Sequence, residues 1–249
     1  MRPLLFAANW KMHIGPSEAR SYLAAFTKAY APHPDREIWF FPPAVSIEAA
    51  ARDCAGRADL RVGAQDIHWE PKGAFTGAIS GALAAQAGAR ATLVGHSERR
   101  HVFGESDAET EKKVRAALTA QLAPILCVGE TLAEREAGQT IAVVTRQLSA
   151  ALASLDGAAL AEIAIAYEPV WAIGTGKNAT PQDAAQVHRH IRAWLVERRA
   201  ARTRVLYGGS VNLKNIAELL HEAELDGVLV GGASLEADGW ARLVQTAAA

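Results

Sequence analysis

The stretch Ile163-Ala-Ile-Ala-Tyr-Glu-Pro-Val-Trp-Ala-Ile-Gly-Thr-Gly-Lys177 contains a whole structural unit in miniature. Its first five residues, Ile163 to Tyr167, form an apolar run of strand length with no polar alternation, as expected of a strand buried on both faces. The run delivers one carboxylate, Glu168, and breaks at once into Pro-Val-Trp and Gly-Thr-Gly. Pro169 disfavours helix at Glu168, while Gly174 and Gly176 permit close approach of a ligand to the backbone. Thr180-Pro-Gln-Asp then offers an N-cap with proline at the first helical position, opening a helical pattern over 180–198. Strand, loop and helix follow one another, and the loop reads as a hinged lid beside a carboxylate.

The same unit recurs along the chain. Apolar strands are expected at Leu4–Ala8, Glu37–Phe41, Leu60–Ala64, Ala91–Val94, Pro124–Val128, Arg204–Tyr207 and Gly227–Val230, which makes about eight. Helical patterns lie between them: one capped by Ser17 and carrying Tyr22, Leu23 and Phe26, an alanine-rich one from about Ile47, and a clear one over 106–121. Continuous apolar strands joined by helices predict an α/β fold with a parallel sheet, and eight units in 249 residues predict a closed parallel (β/α)8 barrel, with a doubly wound open sheet as the alternative. No linker or composition shift divides the chain, so residues 1–249 read as a single domain.

Composition narrows the function. Lys and Arg number 26 against 27 Asp and Glu, a formal net charge of -1, without a basic block suited to nucleic acid or a membrane surface. No run reaches the length of a membrane span, Leu4–Ala8 is cut short by Asn9 before it could serve as a signal core, and the two cysteines, Cys54 and Cys127, lack metal-ligand spacing. A reduced, cytoplasmic protein with neither a nucleic-acid nor a membrane partner is expected. Any anion site must be local.

In such a barrel the residues that follow the strands gather at one face. Asn9 and Lys11 follow the first strand; His96, Ser97 and Glu98 the fourth; Glu168 the sixth; Gly208-Gly209-Ser210 the seventh; Gly231-Gly232 the eighth. Glycine turns leading into helices would offer backbone N–H groups to a phosphate, with Lys11 adding a full charge and Gly174 another N–H when the lid closes. A Gly-Gly after a strand is more often a tight turn than a phosphate cradle, and it is the pair of them after the last two strands that favours the cradle. Glu168 is the candidate base, or else a salt-bridging carboxylate on the rim; closing Trp171 and Ile173 over it would expel water and make it more basic. His96 suits the stabilisation of an oxyanion, because Ser97 capping the next helix would set the imidazole at a helix N-terminus, where a neutral ring is favoured. The other histidines, among them His188, read as structural. Asn9 is a turn residue or an oxyanion donor, and Glu98 and Arg99 read as ion-pairing groups.

Taken together, Asn9-Trp-Lys-Met12, Gly95-His-Ser-Glu-Arg-Arg100, Ala166 through Lys177, Tyr207-Gly-Gly-Ser-Val211 and Gly231-Gly-Ala-Ser-Leu235 resemble the signatures of the triosephosphate isomerase family, in order and over nearly the whole chain. The resemblance implies a TIM barrel that interconverts dihydroxyacetone phosphate and glyceraldehyde 3-phosphate without a cofactor or metal. It also implies that Glu168 moves the carbon-bound proton, His96 is the electrophile, Lys11 and Asn9 serve the oxyanion region, and Gly174, Ser210, Gly231 and Gly232 bind the substrate. The long segment Gln65–Ser80 corresponds to a loop that in this family reaches the other subunit, so a homodimer is implied, with Phe75 and Thr76 docking beside the partner's Lys11 and the partner's Met12. Asp66 and Ala78 depart from the family's usual Asn and Glu, which bears on polar contacts at that interface. Two other classes compete: another phosphate-binding barrel such as an aldolase, for which no Schiff-base lysine stands late in a strand, and a binding protein that keeps the barrel without turnover.

Overall fold

The computed structural model describes residues 3–172 and 181–246. Eight strands, β1 (Leu4–Asn9), β2 (Arg36–Phe41), β3 (Leu60–Ala64), β4 (Ala91–Val94), β5 (Ala123–Val128), β6 (Ala164–Tyr167), β7 (Arg204–Tyr207) and β8 (Gly227–Val230), form a closed barrel in sequence order. All neighbours are parallel, and closure is made where Leu5 to Ala8 of β1 register with Gly227 to Val230 of β8. The open-sheet alternative is thereby excluded. The principal helices are α1 (Pro16–Ala29), α2 (Ile47–Asp53), α3 (Gly81–Gln86), α4 (Ser97–His101), α5 (Asp107–Thr119), α6 (Leu132–Glu136), α7 (Thr140–Leu152), α8 (Gly157–Ala161), α9 (Pro181–Glu197), α10 (Ile216–Leu220) and α11 (Ala237–Gln245), with 3-10 turns at Ala44–Ser46, Val170–Ala172 and Gly232–Ser234.

The strands lack polar alternation because both faces are covered, by two different cores. Leu5 and Ala7, Trp39 and Phe41, Ala91 and Leu93, Ile125 and Cys127, Ala164 and Ala166, Leu206 and Leu229 form one cluster, the barrel interior. Residues of opposite parity, such as Phe6, Ala8, Ile38, Phe40, Ile165, Val228 and Val230, join the larger cluster beneath the helices. Bulk within the interior is complementary: Phe41 fills the space beside Gly63, where a β-carbon would sit 2.4 Å from its ring. Cys127 is fully buried there and burial pushes its thiol well up, so it is a core residue.

Two expected helix starts are corrected. The N-cap of α1 is Gly15, with Pro16 at the first turn and Glu18 accepting from the Gly15 N–H at 2.8 Å; Ser17 lies inside the helix. Proline's fixed φ selects the helix start one residue ahead of the serine. At α4 the cap is His96 itself, whose ring Nδ1 accepts from the Glu98 N–H at 3.2 Å, and Ser97 is the first helical residue. The Thr180 cap and the Gly174, Gly176 and Lys177 positions lie outside the described residues.

Candidate active site

Inward parity carried past the strand ends explains how the site assembles. On β6 the inward residues Ala164 and Ala166 are followed by Glu168; on the neighbouring strands the corresponding positions after Cys127 and Leu206 are Gly129 and Gly208. Both glycines are required by close approach. A β-carbon at Gly129 would fall 1.8 Å from the Glu168 carbonyl oxygen, and one at Gly208 2.8 Å from Glu168 Cγ. Glu168 thus rises between two gaps, and it is only 2% exposed.

Among the described residues, its carboxylate oxygens have two nitrogen neighbours. Oε2 accepts from the Ser97 N–H at 2.8 Å, and Oε1 lies 3.1 Å from His96 Nε2. Because the Nδ1 of His96 accepts from a backbone N–H, the proton of a neutral ring sits on Nε2, facing Glu168 and the cavity. The amide nitrogen of Asn9 lies 3.2 Å from the same Nε2, and the Lys11 N–H donates to the other end of that amide, Oδ1, at 3.1 Å.

Lys11 has a left-handed backbone, φ 49°, a conformation that costs a non-glycine residue about 1–3 kcal/mol and needs outside support. Asn9 holds its N–H, and Gln65 Nε2 donates to its carbonyl at 2.7 Å while also donating to the Phe41 carbonyl at 2.8 Å. So the foot of the long Gln65–Ser80 segment fixes the turn that aims the lysine. The ammonium is 2.6 Å from Glu98 Oε1, and Gly231 leaves it room, since a β-carbon there would stand 3.1 Å from Lys11 Cε.

Asn9, Lys11, His96, Glu168, Ser210, Gly231 and Gly232 line one cavity of about 260 Å³. That is just below the roughly 300–1,000 Å³ typical of small-molecule pockets, so it suits a compact ligand. Among the described residues, the N–H groups of Gly209, Ser210 and Gly231 donate no backbone hydrogen bond, which leaves them for an anion. The helical contribution expected there is corrected. Directly after β8 comes the three-residue 3-10 turn Gly232–Ser234, with α11 starting only at Ala237, and after β7 the helix α10 begins only at Ile216, so individual amides rather than a long helix face the cavity. Among the described residues, no three His, Cys, Asp or Glu side chains gather as a metal-holding group.

Glu130, just past the end of β5, belongs to the same rim although no motif singles it out. This carboxylate is fully buried; it accepts from the Tyr167 hydroxyl at 3.1 Å and from Trp171 Nε1 at 2.9 Å. Arg135 stacks over Trp171 at 4.3 Å and pairs with Asp183 at 2.9 Å. The network grips the chain on both sides of residues 173–180. Its signal was available: Val128-Gly-Glu130 repeats the pattern of a carboxylate just past an apolar strand. His188 is buried as expected, but neither ring nitrogen has a partner among the described residues. It sits edge-on between Tyr167 and Tyr207, and burial lowers its pKa to about 3.

A closed eight-stranded barrel with a carboxylate, an imidazole, a lysine and a glycine-lined pocket at the C-terminal ends of its strands defines an enzyme that acts on a small anionic substrate. Comparison with known proteins narrows the class: residues 4–247 match the family model described as triosephosphate isomerase. The chain is 47% identical to the triosephosphate isomerase of Moorella thermoacetica over 247 residues, 98% of each chain. It is 46% identical to that of Aquifex aeolicus over 244 residues, 96% of this chain and 98% of the relative. The chain belongs to the triosephosphate isomerase family.

Proposed function

We propose that Glu168, His96, Lys11 and Asn9 carry the family's reaction in this chain, the interconversion of dihydroxyacetone phosphate and D-glyceraldehyde 3-phosphate in glycolysis and gluconeogenesis. The observation that supports these roles best is the 3.1 Å approach of Glu168 Oε1 to His96 Nε2 inside a cavity that also holds the Lys11 ammonium. Glu168 takes a proton from one substrate carbon and returns it to the neighbour. To do so its Oε2 exchanges the Ser97 N–H for the substrate. His96 offers its Nε2 proton to the carbonyl oxygen as charge develops on it, and the Asn9 amide and Lys11 ammonium stabilise the same oxyanion of the ene-diolate. Each proton removed is replaced, so the reaction balances without a redox partner. Ser210, Gly231 and Gly232 hold the phosphate, joined by Gly174 from beyond the described residues. Holding it keeps the labile intermediate from expelling phosphate into water.

The reading extends to the assembly: one barrel domain per subunit, paired as a homodimer through the Gln65–Ser80 segment, in the cytoplasm. Met12 is 93% exposed, and with Val102 and Phe103, also exposed, it borders a groove of about 590 Å³ that reaches Lys11 and His96. Apolar surface of that kind beside a functional site supports burial against a partner, and the exposed Phe75 on the loop is a complementary apolar tip. No described helix is long and apolar enough to cross a membrane.

A coupled assay on dihydroxyacetone phosphate tests the chemistry: turnover is expected, and its absence in folded wild-type protein would overturn the assignment. Sedimentation tests the assembly. A monomer that keeps full activity at nanomolar concentration would remove the dimer from the reading.

A further inference from the structure

We propose that Tyr22, on the outer helix α1, is a positioning residue for the turn Gly231–Ser234, tying that turn to the loop that carries Lys11. The inference rests on the reading that this turn holds the substrate phosphate. The Tyr22 hydroxyl donates to the Ser234 carbonyl at 2.7 Å, across 212 residues of sequence. Tyr22 stands in an aromatic column between α1 and the barrel, edge-on to Trp10 at 4.7 Å and to Phe40 at 6.1 Å, with Phe26 below. The neighbours at the inner end of this column are phenylalanines. A buried hydroxyl there is unfavourable unless it finds a partner, and the partner it finds is the carbonyl that ends the glycine turn. Burial raises the phenol's pKa far above its ordinary value, so it remains a donor throughout the working range of the protein.

Among the described residues, the other hydrogen bonds of the turn run within it or to its chain neighbours Val230 and Leu235. Ser234 is fully buried; its hydroxyl donates to the Val230 and Gly231 carbonyls at 3.0 and 2.7 Å, and its N–H donates to the Gly231 carbonyl at 2.8 Å. Those bonds set its internal shape. Tyr22 adds the tie from the turn to α1 and the aromatic column. Trp10, which packs on the Tyr22 ring, lies between Asn9 and Lys11 in the chain, and the Lys11 side chain passes directly beside Gly231. One tyrosine therefore links the segment that bears the amides of the turn to the segment that bears the ammonium that would share the same phosphate.

The test replaces Tyr22→Phe, which keeps the ring and its packing. The expected result is a fall of about five- to tenfold in kcat/KM for glyceraldehyde 3-phosphate and a matching weakening of competitive inhibition by inorganic phosphate. Turnover of glyceraldehyde, which lacks the phosphate, should stay within about twofold of its wild-type value. Incorporating p-aminophenylalanine at position 22 restores a donor on the same ring and should recover most of the phosphate-dependent activity, which also covers the case of a Phe variant that folds poorly. Equal losses with both substrates would make Tyr22 merely structural and overturn the proposal, as would folded Tyr22→Phe protein with unchanged phosphate inhibition. If inorganic phosphate does not compete with substrate in the wild type, the phosphate reading itself fails, and the proposal with it.

Discussion

At the N-terminal floor of the barrel, Glu37 accepts from Arg204 through both carboxylate oxygens at 3.1 to 3.2 Å and from the Trp39 indole at 3.2 Å, while the guanidinium groups of Arg61 and Arg204 stack on the Trp39 ring at 5.1 and 5.6 Å. At the C-terminal mouth, Glu168, His96, Lys11 and Glu98 are linked at similar distances but border an open cavity. The chemical groups are of the same kinds. What differs is whether the partners leave room for a third molecule. On the floor Glu37 is taken up by Arg204 and the Trp39 indole, and that tryptophan is buried in the barrel interior, so the arrangement leaves no space for a ligand. At the mouth, Gly129, Gly208 and Gly231 lack the β-carbons that would crowd Glu168 and Lys11, so the paired groups border open space.

The comparison breaks most sharply at Glu168→Asp. The shorter side chain withdraws the carboxylate by about 1 Å or more, and kcat is expected to fall by about 10²-fold or more with KM changed only a few-fold, measured by steady-state assay. Next, Arg204→Ala on the floor should lower the unfolding free energy by about 2 kcal/mol in urea titrations, because it strands a partly buried Glu37, and should leave kcat unaltered. A large kcat loss there would mean the two ends are not separable. Gly208→Ala sharpens the account of the mouth: its β-carbon meets Glu168 Cγ, so kcat should drop about tenfold, or about 1.4 kcal/mol in barrier, with a smaller effect on stability.

The smallest effect concerns His188, buried beside the mouth with no hydrogen-bond partner among the described residues. Its folded pKa, about 3, lies below the ordinary 6.5 of the unfolded chain, so below pH 6.5 the unfolded state binds the extra proton. Stability is therefore lost as pH falls from about 6.5 toward about 3, and His188 has no such effect above that window. Replacing it by Leu should flatten the acid limb of stability against pH, a difference of about 1 kcal/mol at about pH 6 that grows with acidity. Parallel limbs for variant and wild type would show that His188 is protonated in the folded protein.

The strands were legible because burial on both faces leaves an uninterrupted apolar run. β3, β4, β7 and β8 match their expected bounds, and the other four differ by one residue at an end. Helix starts were less legible, since several residues can cap and local geometry decides among them: Pro16 moved one start to Gly15, and the imidazole of His96 took the place expected of Ser97. Glu130 escaped notice because a carboxylate past a strand announces no chemistry until Tyr167 and Trp171 are seen donating to it.

By itself, then, the sequence determined the alternation of strand and helix, the closed barrel and the set of polar residues at the strand ends, all consequences of local hydrophobic pattern and chain order. Only the tertiary structure decided which of those residues touch. That Glu168 stands between two glycines from neighbouring strands, that Gln65 holds Lys11 in a left-handed turn, and that Tyr22 reaches Ser234 are facts of register and packing between segments far apart in the chain. No local pattern encodes such contacts, because closing the barrel is what brings those segments within reach of one another.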